Sequence, residues 1–272
     1  MHRRVLVLAI VSVFVFVGLV ATQGNILADP KPMTTYVALG DSLSIGVGAT
    51  DPAKKGLVQQ FKKRATAHMD LTNLSVSGED SSTFIGSGQL ANAVAAIANP
   101  STDTQAVTLG IGGNDLLSLL DPGSPCVVAP SSLACQLFVG AVLSTFASNY
   151  TLIIGTLATE LASDPGDETF LVMAFYNGFD GTGSPFEPLA DATLLGADGV
   201  IDCSALGNPV NVGLNDLIAC IGAGAGATVV DLHPLFDGIA SDLTHIGEGD
   251  IHPNDKGHKA IGKALADAAK TD

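Results

Sequence analysis

Thr35-Tyr-Val-Ala-Leu-Gly-Asp-Ser-Leu-Ser44 is the stretch around which the rest of the chain is organised. Tyr36 to Leu39 is a short apolar run that reads as a buried strand. It stops at Gly40, where the absence of a Cβ permits a tight turn, and Asp41-Ser42 stands where the strand ends. Ligands of open α/β sheets collect beyond the carboxyl ends of strands. A serine there opens onto a cleft and is a candidate nucleophile. Taken alone the stretch reads better as an ordinary strand-to-loop turn, because Gly, Asp and Ser are common turn residues. The weight comes from the remaining chain.

Further along, the patterns alternate between strand and helix. Lys54–Met69 has helical spacing, with Leu57, Val58, Phe61 and Ala65 on one side and lysines on the other. Leu71–Val76 reads as a second strand, ending at Ser77-Gly78. Gln89–Ala98 is an Ala-rich helix stopped by Asn99-Pro100. Gln105–Ile111 is a third strand, ending in Gly112-Gly-Asn-Asp115. The turn-rich segment Asp121-Pro-Gly-Ser-Pro125 leads into a long helix over 131–161, whose stripe is Leu143, Phe146, Tyr150, Ile153, Leu157 and Leu161. No charge falls between Gln136 and Thr159. That raises a membrane span as an alternative, but Ser144, Thr145, Ser148, Asn149 and Thr151 favour a buried core helix. Thr169–Phe175 is a fourth strand, residues 179–210 an irregular loop, Asn211–Ile221 a helix, Ala227–Leu232 a fifth strand and Lys256–Lys270 the last helix. Alternation of this kind implies right-handed crossovers and a five-stranded parallel sheet.

The chain has 272 residues, 47% of them hydrophobic, which suits one sizeable α/β domain. His2-Arg-Arg4, the apolar run Val5–Val20 and the small or polar residues after it have the layout of a secretory signal peptide. We assign 1–28 to that leader and 29–272 to a single domain, with export as the expected localisation and no stable membrane span once the leader is removed. The formal net charge is −15. Without Arg3 and Arg4, 10 basic residues face 27 acidic ones, giving −17. Such a balance argues against nucleic acid and anionic membrane surfaces as partners. Four cysteines in an exported chain suggest disulfides. We expect local pairing, Cys126 with Cys135 and Cys203 with Cys220, rather than four buried thiols. A zinc site is disfavoured because no C-x-x-C spacing occurs.

Ser42, Gly78 and Asn114 each follow a strand, so a parallel sheet brings them to one edge. Gly249-Asp-Ile-His-Pro253 adds an imidazole just before the final helix. An ester-cleaving serine needs a base and oxyanion donors. His252 is a base, and the N–H groups of Ser42 and Gly78 with the Asn114 amide are donors. In order, Gly40-Asp-Ser-Leu43, Gly78, Gly112-Gly-Asn-Asp115 and His252-Pro-Asn254 resemble the four blocks of the SGNH, or GDSL, ester hydrolases. The resemblance spans nearly the whole mature chain. It implies a flavodoxin-like three-layer α/β/α sandwich and an esterase or lipase that needs no cofactor or metal, with Ser42 as nucleophile, His252 as base, and Ser42, Gly78 and Asn114 as oxyanion hole. The G-x-S-x-G elbow of the α/β-hydrolases is absent. The family usually places an acid three residues before the histidine. Here Gly249 holds that position and Asp250 lies two before, so either Asp250 or backbone carbonyls orient the ring.

Other readings compete. His245, Asp250, His252 and His258 are potential metal ligands whose spacing fits no standard site. A non-catalytic binding protein on the same fold is a third class. His233 is a rival base, though Pro234 suggests a structural turn, and His68 lies in a basic, solvated helix. Asp115 is placed to cap a following helix. Asp164-Pro-Gly-Asp-Glu168 is a potential calcium turn, more simply a solvated loop, and the sequon Asn149-Tyr-Thr151 lies inside the long helix. Small-molecule or lipid esters are the expected substrates and a monomer the expected state. We expect the helix 131–161 and the loop 179–210 to line the cleft. An apolar lining would favour acyl chains, a polar one acetylated carbohydrate.

Overall fold

The computed structural model describes residues 32–164, 166–204 and 211–270. The leader assigned to 1–28 lies outside them, as do residues 205–210 of the expected loop.

Five strands form one parallel sheet: β1 (Met33–Gly40), β2 (Asp70–Asn73), β3 (Thr102–Gly110), β4 (Thr169–Ala174) and β5 (Thr228–Asp231), in the order β2-β1-β3-β4-β5. β1 is buried from Thr35 onward, as a strand covered on both faces must be. On one face the helices Leu57–Ala65 and Asp255–Ala268 pack together. They approach closely because Gly262 has no side chain: a Cβ there would come within 2.4 Å of the Gln60 Cβ. Gln89–Ile97, the long helix Leu133–Leu161 and Leu214–Gly224 form the other layer. The architecture is the expected three-layer α/β/α sandwich.

After β1 the chain goes to β2 on one side, then crosses to β3 on the other. The point where strand order reverses is therefore between β1 and β3, the place where a crevice opens in such sheets. Gly40 and Gly110 end these two strands in register.

Several elements differ from the sequence reading. The helix expected over Lys54–Met69 is broken at Gly56 into Pro52–Lys55 and Leu57–Ala65. The second strand is shorter, although Leu74 and Val76 still donate N–H groups to the Ala38 and Gly40 carbonyls. The expected loop contains the helix Glu187–Leu195. The long helix is not a buried core helix. Its stripe, with Ile154 added, is buried, but Leu133, Leu137 and Leu152 are exposed. It is the one helix among the described residues long and apolar enough to cross a membrane, and it lies as one member of a helical layer. Asp115 does not cap the helix that follows β3: it lies inside that helix, Gly113–Leu117, and its carboxylate instead accepts the N–H and hydroxyl of Ser81, the first residue of the helix Ser81–Gly86. Both expected disulfides form, Cys126–Cys135 and Cys203–Cys220, with Cα separations of 4.6 and 5.4 Å.

Candidate active site

Asp41 has extended backbone and its Oδ1 accepts the Leu43 N–H, so the chain turns directly from β1 into the short helix Ser42–Ile45. Ser42 is the first residue of that turn, a position whose N–H has no partner within the helix. Gly40 makes the turn possible. Its φ is +133°, and a Cβ there would lie 2.2 Å from the Gly110 carbonyl oxygen.

His252 comes from the other end of the chain. An antiparallel ribbon, β6 (Thr244–His245) with β7 (Asp250–Pro253), carries it. The ribbon and the final helix that follows it are tied to the loop after Ser42: from the ribbon His245 Nε2–H donates to the Gly48 carbonyl at 2.8 Å, and from the helix His258 Nε2–H donates to the Val47 carbonyl at 2.8 Å while Asp255 accepts the Thr50 N–H at 2.9 Å. Gly48 packs against the ribbon so closely that a Cβ would lie 2.3 Å from the Pro253 carbonyl oxygen. Residues 210 apart in sequence thereby meet, with Ser42 Oγ 2.8 Å from His252 Nε2.

Asp250 completes the arrangement. Alternate residues of a strand share a face, so on β7 an acid two before the histidine lies beside it. Asp250 Oδ1 accepts both the His252 backbone N–H at 2.9 Å and its Nδ1–H at 2.5 Å. With the proton on Nδ1, Nε2 presents its lone pair to the Ser42 hydroxyl. Partial burial pushes the Asp250 carboxyl up, but the bonds and charge of His252 outweigh it and hold the group below the usual carboxylate range.

Asn114 lies in the short helix Gly113–Leu117, just beyond the end of β3. Its Nδ2 donates to the Glu79 carbonyl at 2.7 Å and lies 3.3 Å from Asp41 Oδ2. Gly78 occupies an exposed left-handed turn (φ +79°) beside Glu79 and is not among the residues lining the cleft. Burial, against the pull of the Leu43 N–H and with the Asp115 and Glu79 carboxylates adding to it, pushes Asp41 up to about 7.

The cleft beside Ser42, Asn114 and His252 is walled by Leu116, Leu117, Leu119, Phe179, Phe186 and Leu189, among other apolar side chains. The expected loop region contributes Phe179 and Phe186 and, through the helix Glu187–Leu195, Leu189 and Leu194. The long helix 131–161 contributes no lining residue, contrary to expectation; the segment 113–120 takes its place. No sequence pattern marked Glu79, Gln89 or these cleft leucines.

His245 and His258 are held by structural hydrogen bonds. His258 is buried, with Nδ1 accepting the Leu57 N–H at 3.2 Å. His233 Nε2 is 3.5 Å from Asp191 Oδ1 and does not line the cleft. Among the described residues, no three His, Cys, Asp or Glu groups are arranged to hold a metal ion. Asp164 accepts the Thr104 N–H, and Asn149 donates to the Ser81 and Ser82 hydroxyls.

His258 yields a prediction for stability. Burial lowers its pKa, with the nearby His252 and His245 adding to that effect while the Val47 carbonyl and Asp255 oppose it. Below the ordinary histidine value of about 6.5 the unfolded chain binds a proton that the native site resists. This stabilising contribution is complete above that value and is lost as pH falls towards the folded pKa. Asp41, raised in the fold, works in the opposite direction, so the His258 effect must be isolated. The melting-temperature gap between wild type and His258→Gln is expected to narrow from pH 7.5 to pH 5.5. A constant gap would contradict the assignment.

A hydroxyl, an imidazole and a carboxylate in hydrogen-bonded series, at the switch point of a doubly wound sheet, define the class: an α/β protein equipped for hydrolytic chemistry. The chain belongs to the GDSL-like lipase/acylhydrolase family, whose model matches residues 38–260. No curated protein matches its sequence. Solved structures share its fold. A lipase from a goat rumen metagenome has 19% identity and a TM-score of 0.58, covering 87% of this chain and 97% of that one. An extracellular lipase from Streptomyces rimosus has 19% identity and a TM-score of 0.55, with coverages of 86% and 99%. An acetylxylan esterase from Geobacillus stearothermophilus has 12% identity and a TM-score of 0.55, with coverages of 86% and 93%.

Proposed function

We propose that the chain is an exported serine ester hydrolase that removes apolar acyl groups from their esters. The observation that carries this reading is the series Ser42 Oγ, His252 Nε2 and Nδ1, Asp250 Oδ1, with contacts of 2.8 and 2.5 Å, at the wall of an apolar cleft. Ser42 Oγ attacks the ester carbonyl as His252 Nε2 takes its proton. Asp250 holds the ring and stabilises the imidazolium. The oxyanion is received by the Ser42 N–H and the Asn114 amide, each worth roughly 3–4 kcal/mol of barrier; Gly78, exposed and outside the cleft lining, is left without the donor role expected of it. Protonated His252 then gives its proton to the leaving alkoxide. Water deprotonated by the same ring releases the acid from the acyl-enzyme. No step calls for a cofactor. Once protonated the imidazole cannot act as base, so the rate falls on acidification. The leader-like N-terminus and the two disulfides support export.

Lipases and an acetylxylan esterase share this fold, so the fold leaves open whether the substrate is an acyl ester or an acetylated carbohydrate. The lining distinguishes them. Leucines and phenylalanines reward methylene groups at about 0.8 kcal/mol each and give sugar hydroxyls no partners. On p-nitrophenyl esters from acetate to palmitate, with acetylated xylan alongside, kcat/KM is expected to rise about tenfold or more between acetate and hexanoate. Faster turnover of acetylated xylan than of hexanoate would favour the carbohydrate reading instead.

A further inference from the structure

One buried side chain outside the reacting series bonds to the strand end that precedes Ser42. Gln89, at the start of the helix Gln89–Ile97, accepts the Gly40 N–H on Oε1 at 2.7 Å and donates from Nε2 to the Gly40 carbonyl at 3.0 Å. The same Nε2 donates to Glu79 Oε2 at 2.7 Å. Glu79 is also buried. Its other carboxylate oxygen accepts the Ser87 hydroxyl at 2.5 Å, and its backbone carbonyl accepts the Asn114 amide at 2.7 Å. Two residues thus join the end of β1, the turn at Gly78 and the end of β3.

We infer that Gln89 and Glu79 are positioning residues, a clamp that sets the distance between the Ser42 nucleophile and the Asn114 oxyanion donor. Gly40 ends the strand with φ +133°, a conformation open to many alternatives because it has no side chain. A bidentate amide selects one of them. Glu79 in turn is held by Gln89 and Ser87, so its carbonyl presents a fixed acceptor to Asn114. In a buried network each member's geometry depends on the others, and small misplacement of reacting groups is costly in rate. The inference rests on Ser42 being the nucleophile.

A swap of the two side chains tests it. In Gln89→Glu two carboxylates face each other and the amide donor is lost. At pH 8 we expect kcat on p-nitrophenyl hexanoate to fall about 10- to 100-fold with KM changed less than about twofold. Adding Glu79→Gln restores the amide–carboxylate bond between the two side chains in reversed order, though not the donor to the Gly40 carbonyl, and should recover part of that loss. Gln89→Met, similar in length and without a buried charge, should also lose kcat while remaining folded at the assay temperature. If the folded variants keep wild-type kcat and only melt earlier, the side chains merely stabilise and the inference fails. It fails equally if the double variant is no better than the two single effects combined. The cycle is read on total ester turnover, whereas the Ser42 reading is checked separately by which serine an active-site label modifies. A failure of the clamp is thereby told apart from a failure of the Ser42 reading.

Discussion

Ser42→Ala is expected to lower kcat/KM on a p-nitrophenyl ester by at least about 10⁴-fold while leaving the melting temperature close to wild type. Ser42 Oγ contacts His252 at the cleft wall rather than in the hydrophobic core, so its removal costs little packing. It takes away the only group in the proposed series able to form an acyl-enzyme. What survives is the background from binding and the oxyanion donors. Full activity of the alanine variant would end the proposal.

The second large effect falls on Asp250. Its Oδ1 fixes the imidazole by accepting two N–H groups of one residue. Asp250→Ala leaves Nδ1 without a carboxylate, so the tautomer with its lone pair on Nε2 loses its support. We expect kcat to fall about 10²- to 10⁴-fold, with KM little changed because Asp250 does not line the cleft. A loss below about threefold would mean that backbone carbonyls orient the ring.

This pair shows what the sequence made legible. Ser42, Asn114 and His252 stand in short motifs at strand ends and before a helix, and a parallel sheet brings such ends together whatever the intervening chain does. Asp250 was ambiguous because its spacing suits neither the usual acid position nor a helical face. Spacing by two works here only because residues 250–253 are a strand, and that ribbon depends on pairing with Thr244–His245, too short to leave a pattern. The helix Glu187–Leu195 was hidden for a related reason. Gly181, Gly183 and Pro185 suggest an excursion, yet the Glu187 carboxylate accepts the Gly181 and Gly183 N–H groups and folds that run back onto the helix start. The stripe of the long helix was plain in the sequence, but a stripe says that a face is covered and not by what. Its partners are the neighbouring helices, among them the back of the segment 113–117 that walls the cleft, and it reaches the cleft only through them.

The central claim is that one hydroxyl, Ser42, carries the acyl group. Treating the active protein with a fluorophosphonate and mapping the adduct by mass spectrometry tests this most directly. The account predicts a single adduct, on Ser42, whose formation abolishes ester hydrolysis and slows sharply in the His252→Ala variant. An adduct on another residue that accounts for the lost activity, or undiminished hydrolysis after Ser42 is fully labelled, would contradict it.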